Sequence, residues 1–279
     1  MATEQRTSRS LTDSGWALVE RLFMVVIVLF FIFPIVWAFL TSIKTRVDTF
    51  AFPPVWIFEP TYQSYVTVVF ARGLDTGFVS SLYVASLNTV LVILISAPAA
   101  FSMARYNTGG KDLLLYILSI RFLPPIVIIP AMFIQMQMVD LVNTRTVLVI
   151  IYLLINIPFG VWLFHAAFRD LPQEVLEAGR MDGATEFETF WYIALPMVKP
   201  VIFTVGIISF IFAWNEYLFA LIFTTGEATT APVRIAGLVT GREVFWNEIM
   251  AGTILLMIPL TLIIYTSQQR LISGLSFYK

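Results

Sequence analysis

Six stretches of this chain, 22–43, 80–103, 113–139, 146–168, 201–225 and 249–269, are apolar for longer than an ordinary buried helix requires. A helix that crosses a bilayer needs about 20 such residues, because the hydrocarbon core is about 30 Å thick and each residue rises about 1.5 Å. Stretches 22–43, 80–103 and 146–168 contain no Asp, Glu, Lys or Arg, and 249–269 lies between Glu248 and Arg270. Stretch 113–139 contains one charge, Arg121, and 201–225 contains one, Glu216. In lipid every backbone N–H and C=O must be satisfied internally, so an open chain of this kind crosses as helices. The expected fold is an all-α membrane protein with six transmembrane helices, in one domain over 22–279 preceded by a cytoplasmic segment 1–21.

Composition removes most alternatives. Charged residues make up 13% of the chain, about half the share usual in soluble domains, which leaves no polar stretch long enough for a separate soluble domain. The 17 basic residues are balanced by 18 acidic ones, against a nucleic-acid-binding surface. With no cysteine and one histidine, His165, disulfides, thiolate nucleophiles and Cys or His metal sites are excluded. Gly109-Gly110-Lys111-Asp112 departs from a phosphate-binding loop, which needs Gly where Arg105 stands and Ser or Thr where Asp112 stands. The chain is expected to bind no cofactor and to carry no ATPase site of its own. His165, near the end of the fourth stretch, is assigned no chemistry.

The first stretch exceeds the 7–15 residue apolar core typical of a signal peptide, and no A-x-A pattern follows it, so it reads as a retained anchor. Pro34, Pro98, Pro124, Pro125, Pro130, Pro158 and Pro259 fall inside the stretches and predict kinks rather than lost spans. Orientation follows the basic residues. With the N-terminus cytoplasmic, Arg6, Arg9, Arg21, Arg105, Lys111, Arg169, Arg180, Lys199, Arg270 and Lys279 lie inside. Lys44, Arg46, Arg72, Arg145, Arg234 and Arg242 then lie outside, which is the bias of the positive-inside rule. Both termini and the segment 169–199 are then cytoplasmic.

That segment is too long for a plain connection and carries folding signals. Asp170 is placed to cap a helix starting near Pro172, with Glu174 and Glu177 in early turns that favour negative charge. Asp182-Gly183 supplies a turn, and Thr185 with Glu188 fits a capping box for a second short helix ended by Leu195-Pro196. On that helix Phe187, Phe190, Trp191 and Ala194 are predicted to share one stripe. A helix–turn–helix with Ala178, Gly179, Gly183 and Ala184 at its bend is a compact surface that another protein can approach closely.

Glu177-Ala178-Gly179, Asp182-Gly183-Ala184, Phe190, Ile193 and Leu195-Pro196 resemble the EAA loop of binding-protein-dependent ABC importer permeases. Further segments are similar to the smaller permease of maltose-type carbohydrate systems: Thr41-Ser42-Ile43-Lys44, Phe52-Pro53-Pro54-Val55-Trp56 and Arg121-Phe122-Leu123-Pro124-Pro125. So are Leu141-Val142-Asn143-Thr144, Trp214-Asn215-Glu216-Tyr217 and 269–275. The resemblance covers nearly the whole chain. It implies the type I importer permease fold, with 169–199 as a coupling loop for a cytoplasmic P-loop ATPase through Glu177, Ala178, Gly179, Asp182, Gly183 and Ala184. It further implies a second, similar permease, two ATPase copies that use ATP and Mg, a soluble or lipid-anchored solute-binding protein, and the inner membrane of a prokaryote. The family usually has Ala where Gly179 stands, and a small-residue tail where this chain has Phe277-Tyr278-Lys279.

Charges inside spans usually face a bundle interior or a water-filled path. Arg121, Glu216 and the adjacent Asn215 are therefore candidate pathway or gate residues, against the plainer reading of structural pairing or contact with carbonyls freed at proline kinks. Asn88 and Asn156 read as interhelical hydrogen bonds. The aromatic residues at this density read as packing or lipid contact. A gradient-driven secondary transporter that uses Arg121 and Glu216 is the rival class, and an importer permease for a non-sugar solute is the nearer alternative. The long folded loop and the lack of an evident internal repeat weigh against the first.

Overall fold

The computed structural model describes residues 4–241 and 243–275, with side chains placed for 16–110, 112–241 and 243–267. The described chain is helical, and it divides into two compact units, Met1–Ala71 with Thr240–Leu255 and Arg72–Val239 with Leu256–Lys279. Residues 276–279, including the expected departure at Phe277-Tyr278-Lys279, lie outside the described residues.

In the first unit the long helix α1 (Glu4–Ser42) is followed by two short helices, α2 (Arg46–Phe50) and α3 (Gln63–Val66), the second continued by a π-helical turn at Thr67–Ala71. Almost nothing covers the apolar part of α1, where Phe30 and Phe31 are exposed, as suits a helix solvated by lipid tails. Past its end Lys44 is buried: its Nζ donates to Val55 O at 2.7 Å and sits 5.4 Å from the Trp37 ring centre and 5.0 Å from that of Phe58. One cation thereby ties the 52–56 loop to the end of the helix.

The second unit holds α4 (Leu74–Tyr106), α5 (Gly110–Ser119), α6 (Pro125–Met138), α7 (Arg145–Arg169), α8 (Gln173–Met181), α9 (Glu186–Glu188), α10 (Leu195–Met197), α11 (Lys199–Asn215), α12 (Leu218–Phe223) and α13 (Ala231–Ala236). The last helix, α14 (Trp246–Leu275), belongs to the first unit through Leu255 and to the second from Leu256. Helices α4, α7 and α11 pack together as the core. In lipid no hydrophobic force draws helices together, so close approach and hydrogen bonding must do so. The surface of α4 in this core is accordingly small: Ser80, Ser81, Ala85, Ser96, Ala97 and Ala100 are all buried. Gly160 of α7 faces it so closely that an added Cβ would lie 2.6 Å from Ser96 Oγ and 3.0 Å from Val92 Cγ1. Asn156 Nδ2 donates to Asn88 Oδ1 at 2.8 Å, and Asn88 Nδ2 to Val149 O at 3.1 Å, so these two residues are the interhelical bonds expected of them.

Four helices, α1, α4, α7 and α14, are long and apolar enough to cross a membrane alone, and up to six spans result if two bent helix pairs, Asp112–Phe122 with Pro125–Met138 and Glu186–Met197 with Lys199–Asn215 (77°), each count as one. Two stretches expected to be single helices are broken. Stretch 113–139 becomes α5 and α6, with a 3-10 turn at Ile120–Phe122 and a 92° bend between the halves. The cause is Pro124-Pro125: a proline pushes the residue before it out of the α region, and Leu123 (φ −67°, ψ 124°) and Pro124 (φ −60°, ψ 126°) are both extended. Stretch 201–225 starts earlier, at Lys199, and stops at Asn215, where Glu216 turns extended (φ −68°, ψ 130°) before α12 begins.

Candidate functional site

Segment 169–199 folds as a helix, a tight turn and a second helical stretch, and the local sequence accounts for each part. Helix α8 starts after Pro172, whose ring pre-sets φ, and no side chain caps it. Asp170 instead closes α7, its backbone N–H reaching Ala166 O and Phe168 O, so the expected Asp170 cap is not made. Glu174 stands in the first turn of α8, where the helix dipole favours negative charge.

At the other end of α8, Gly183 N–H bonds to Arg180 O at 3.0 Å and Ala184 N–H to Gly179 O at 3.1 Å. That is the pair of bonds of a Schellman ending, which requires a left-handed residue after the cap, and Gly183 has φ +91°. The second helical stretch then starts from a complete capping box. Thr185 Oγ1 accepts from Glu188 N–H at 3.3 Å, and the Glu188 carboxylate accepts from Thr185 N–H at 2.8 Å and from its hydroxyl at 2.7 Å. Those two bonds, the backbone one first, hold the Glu188 carboxyl below its ordinary value.

After α9 the backbone loosens into a π-helical turn, Thr189–Ala194, and the expected stripe splits in two. Phe190 and Ala194 are buried, whereas Phe187 and Trp191 lie outside, exposed and stacked with ring planes 9° apart. The wider turn is what separates them: where the repeat exceeds 3.6 residues, side chains four apart stay on one face, whereas those three apart, Phe187 and Phe190 or Trp191 and Ala194, turn to different faces. Phe190, with Leu176 from α8, enters an apolar cluster that includes Phe101 of α4 and Phe164 and Phe168 of α7. Gly179 makes room for this packing: a Cβ there would lie 2.2 Å from Ile193 Cδ1.

A polar triad adds a second attachment to α4. Arg180 donates to Glu186 at 2.8 Å and to the Tyr106 hydroxyl at 3.0 Å, and Tyr106 itself donates to Glu186. The Tyr106 bond, followed by Arg180, keeps the Glu186 carboxyl below its ordinary value. Arg105 approaches Glu177 at 3.9 Å. Glu177, Ala178, Asp182 and Gly183 are nonetheless exposed, Gly179 and Ala184 are half-buried, and a Cβ on Gly183 would meet no atom within 4 Å. The result is a rigid turn of small and acidic residues, anchored from behind by aromatic packing.

The three mid-span candidates do not form one site. Arg121 Nη1 donates to Ile155 O at 3.1 Å, and its guanidinium lies 4.5 Å from the Phe212 ring centre and 5.3 Å from that of Phe159. Ile155 sits on the turn of α7 preceding Pro158, where a proline disturbs the hydrogen-bond ladder. Glu216 caps the short helix α12: its carboxyl accepts from Phe219 N–H at 3.0 Å, Ala220 N–H at 3.2 Å and the Tyr152 hydroxyl at 2.7 Å. Asn215 is exposed, and its Nδ2 returns to Ile211 O of its own helix at 2.8 Å. Tyr152 and the rings around Arg121 are partners that the sequence did not single out; the one available signal was that a lone charge in a span must be matched. Among the described residues no group of three or more His, Asp or Glu is placed to hold a metal ion.

The family of binding-protein-dependent transport system inner membrane components matches residues 96–276, which include the whole of segment 169–199. A probable ABC transporter permease protein of Sinorhizobium fredii, y4oR, is 33% identical over 99% of this chain and 98% of its own length. The trehalose/maltose transport system permease protein MalG of Thermococcus litoralis is 32% identical over 88% of this chain and 90% of its own. Among solved structures, a chain of a bacterial ABC transporter involved in the import of the acidic polysaccharide alginate has the same fold, with a TM-score of 0.73 at 20% identity over 93% of this chain and 97% of that one. With its family matched over most of its length and its apolar helices long enough to span a bilayer, this multi-pass membrane chain belongs to the inner membrane components of binding-protein-dependent transport systems.

Proposed function

We propose that this chain is one of two permease subunits of an ATP-driven importer of a carbohydrate, and that segment 169–199 docks on the ATPase that drives it. The observation that carries the reading is the closed turn at Gly183: it is exposed, held by a Schellman ending and a capping box, and backed by an aromatic cluster shared with α4 and α7. A push on such a turn moves two core helices with it instead of being absorbed locally. Glu177, Ala178, Gly179, Asp182, Gly183 and Ala184 are the docking residues. The ATPase binds ATP and Mg, and this chain binds no cofactor.

In this reading α5 with α6 makes one crossing and α11 makes another, giving six spans with both termini and segment 169–199 in the cytoplasm of a prokaryote. A second permease completes the path, and a soluble or lipid-anchored binding protein delivers the solute from the other side. The name of the Thermococcus litoralis relative, a trehalose/maltose permease, supports a carbohydrate as that solute. Closure of the ATPases moves the docked turn as a rigid body and rocks the core helices between inward-open and outward-open arrangements. Glu216, held by three donors, helps shape the end of a core helix; Arg121 is the pathway candidate that remains.

The test is uptake of labelled mono- and oligosaccharides by cells with and without this chain. Loss of uptake of at least one sugar on deletion, restored by the wild-type chain and abolished by depleting ATP with the ion gradients clamped, is the expected result. Uptake that survives ATP depletion and follows an ion gradient overturns it.

A further inference from the structure

Arg121 stands about halfway through the membrane-spanning core. Its backbone partner, Ile155, lies ten residues from one end of α7 (155 − 145) and fourteen from the other (169 − 155), or about 15 and 21 Å along the axis. A cation at that depth facing lipid is costly, so it faces protein or a watery path. Its two cation–π contacts offset charge without using hydrogen-bond donors. A guanidinium has five N–H donors, and the interactions described for Arg121 occupy one of them, on Ile155 O.

The surroundings combine irregular backbone with exposed aromatic surface. The span breaks by 92° right after Arg121, and the residues three and four further on, Pro124 and Pro125, have no N–H to offer its carbonyl. Irregular backbone at membrane depth is tolerated where protein buries it or where it lines a water-filled cavity. Beside the guanidinium, the Phe159 and Phe212 rings meet edge-on at 5.8 Å, and Trp162 lies 5.9 Å from Phe159. Trp162 is 45% exposed and Phe212 38%, so the cluster presents indole and phenyl surface next to unspent donors. Aromatic walls with a few oriented polar groups are the usual makeup of a small-molecule site.

We propose that Arg121, Phe159, Trp162 and Phe212 form a subsite for the transported sugar, in which the guanidinium donates to neighbouring ring hydroxyls and the exposed indole takes the C–H face of a pyranose. The proposal rests on the carbohydrate-importer reading. It assigns this subunit a direct contact with the cargo, and it separates Arg121 from Glu216, whose oxygens are occupied by three protein donors.

Because the chain contains no cysteine, Trp162→Cys and Phe212→Cys each introduce one thiol into this subunit. The intact transporter carrying either variant, in membrane vesicles, is treated with a water-soluble thiol reagent, and modification is read by mass spectrometry of the labelled peptide. Maltose, trehalose and a uronic-acid trisaccharide serve in turn as probes, after their ATP-driven uptake by the wild type is measured. Labelling at both positions, slowed by the probe that is taken up and not by the others, is the expected result. In the same vesicles Arg121→Lys keeps the charge but loses the planar fork, and raises the KM of uptake about tenfold or more, the scale of one lost charge-assisted hydrogen bond. A probe that is transported yet leaves labelling and the Arg121→Lys KM unaltered, or thiols that stay unreactive, overturns the subsite alone. Absence of ATP-driven uptake of any sugar overturns the carbohydrate reading, and the subsite with it.

Discussion

Tyr152 of α7 donates its hydroxyl to Glu216 Oε2 at 2.7 Å, and the same carboxyl receives the backbone N–H groups of Phe219 and Ala220. The charge that the sequence placed inside a span is thus the cap of a helix start. Tyr152→Phe removes one bond and is expected to cost about 1 kcal/mol, whereas Glu216→Ala strands three donors at once and is expected to cost about 3 kcal/mol or more. Thermal unfolding of the detergent-purified transporter checks the order: wild type above Tyr152→Phe, and Tyr152→Phe above Glu216→Ala. Combining the two should add little to Glu216→Ala alone, because the tyrosine has already lost its partner. An unchanged Tm for Glu216→Ala contradicts the capping role.

Gly179 and Ile193 form a size-matched pair. Alanine at position 179 gains about 1 kcal/mol of helix propensity but pushes on Ile193 Cδ1, the free end of a flexible side chain, so Gly179→Ala is expected to be close to neutral. Gly179→Leu cannot be accommodated that way and should separate α8 from the π-helical turn, with loss of uptake. Shortening the partner, Ile193→Ala, should restore a good part of uptake to Gly179→Leu. Failure of that rescue, at equal protein levels, argues against the pair.

Asn88 and Asn156 link α4 to α7 at a place where both side chains are buried. Hydrogen bonds between helices in membranes average about 0.6 kcal/mol and reach about 1.7. A double-mutant cycle with Asn88→Ala and Asn156→Ala, read by unfolding in detergent, should give a coupling energy within that range. A value of zero contradicts a direct bond.

The sequence made much of this legible where one local rule governs. Capping chemistry at Thr185 and Glu188 and the helix ending at Gly183 appear in the structure as their residue types predict. Apolar length located α4 and α7, since a bilayer imposes that length whatever the helices touch. It fails at Leu123 and Glu216, because hydrophobicity does not distinguish a straight span from a broken one, and a twin proline signals a kink without its size, here 92°. A regular 3.6-residue period places Phe187 and Trp191 with Phe190, and the π-helical turn that sets them apart from it has no sequence signature of its own. The aromatic surroundings of Arg121 come from α7 and α11, 38 or more residues away (159 − 121), a distance that single-sequence periodicity does not bridge.

In the proposed mechanism a partner ATPase grips the turn at Gly183, and the open space around that residue makes this grip directly testable. The tagged chain is purified in mild detergent as wild type, Gly183→Asn and Gly183→Arg, and its companions are quantified by mass spectrometry. Asparagine tolerates the left-handed backbone, so it reports the cost of the conformation alone, while arginine adds bulk on the exposed face. A P-loop ATPase and a second permease are expected with the wild type and with Gly183→Asn; with Gly183→Arg the second permease stays and the ATPase is lost. An ATPase retained in full by Gly183→Arg, or one that never accompanies the wild type, contradicts it.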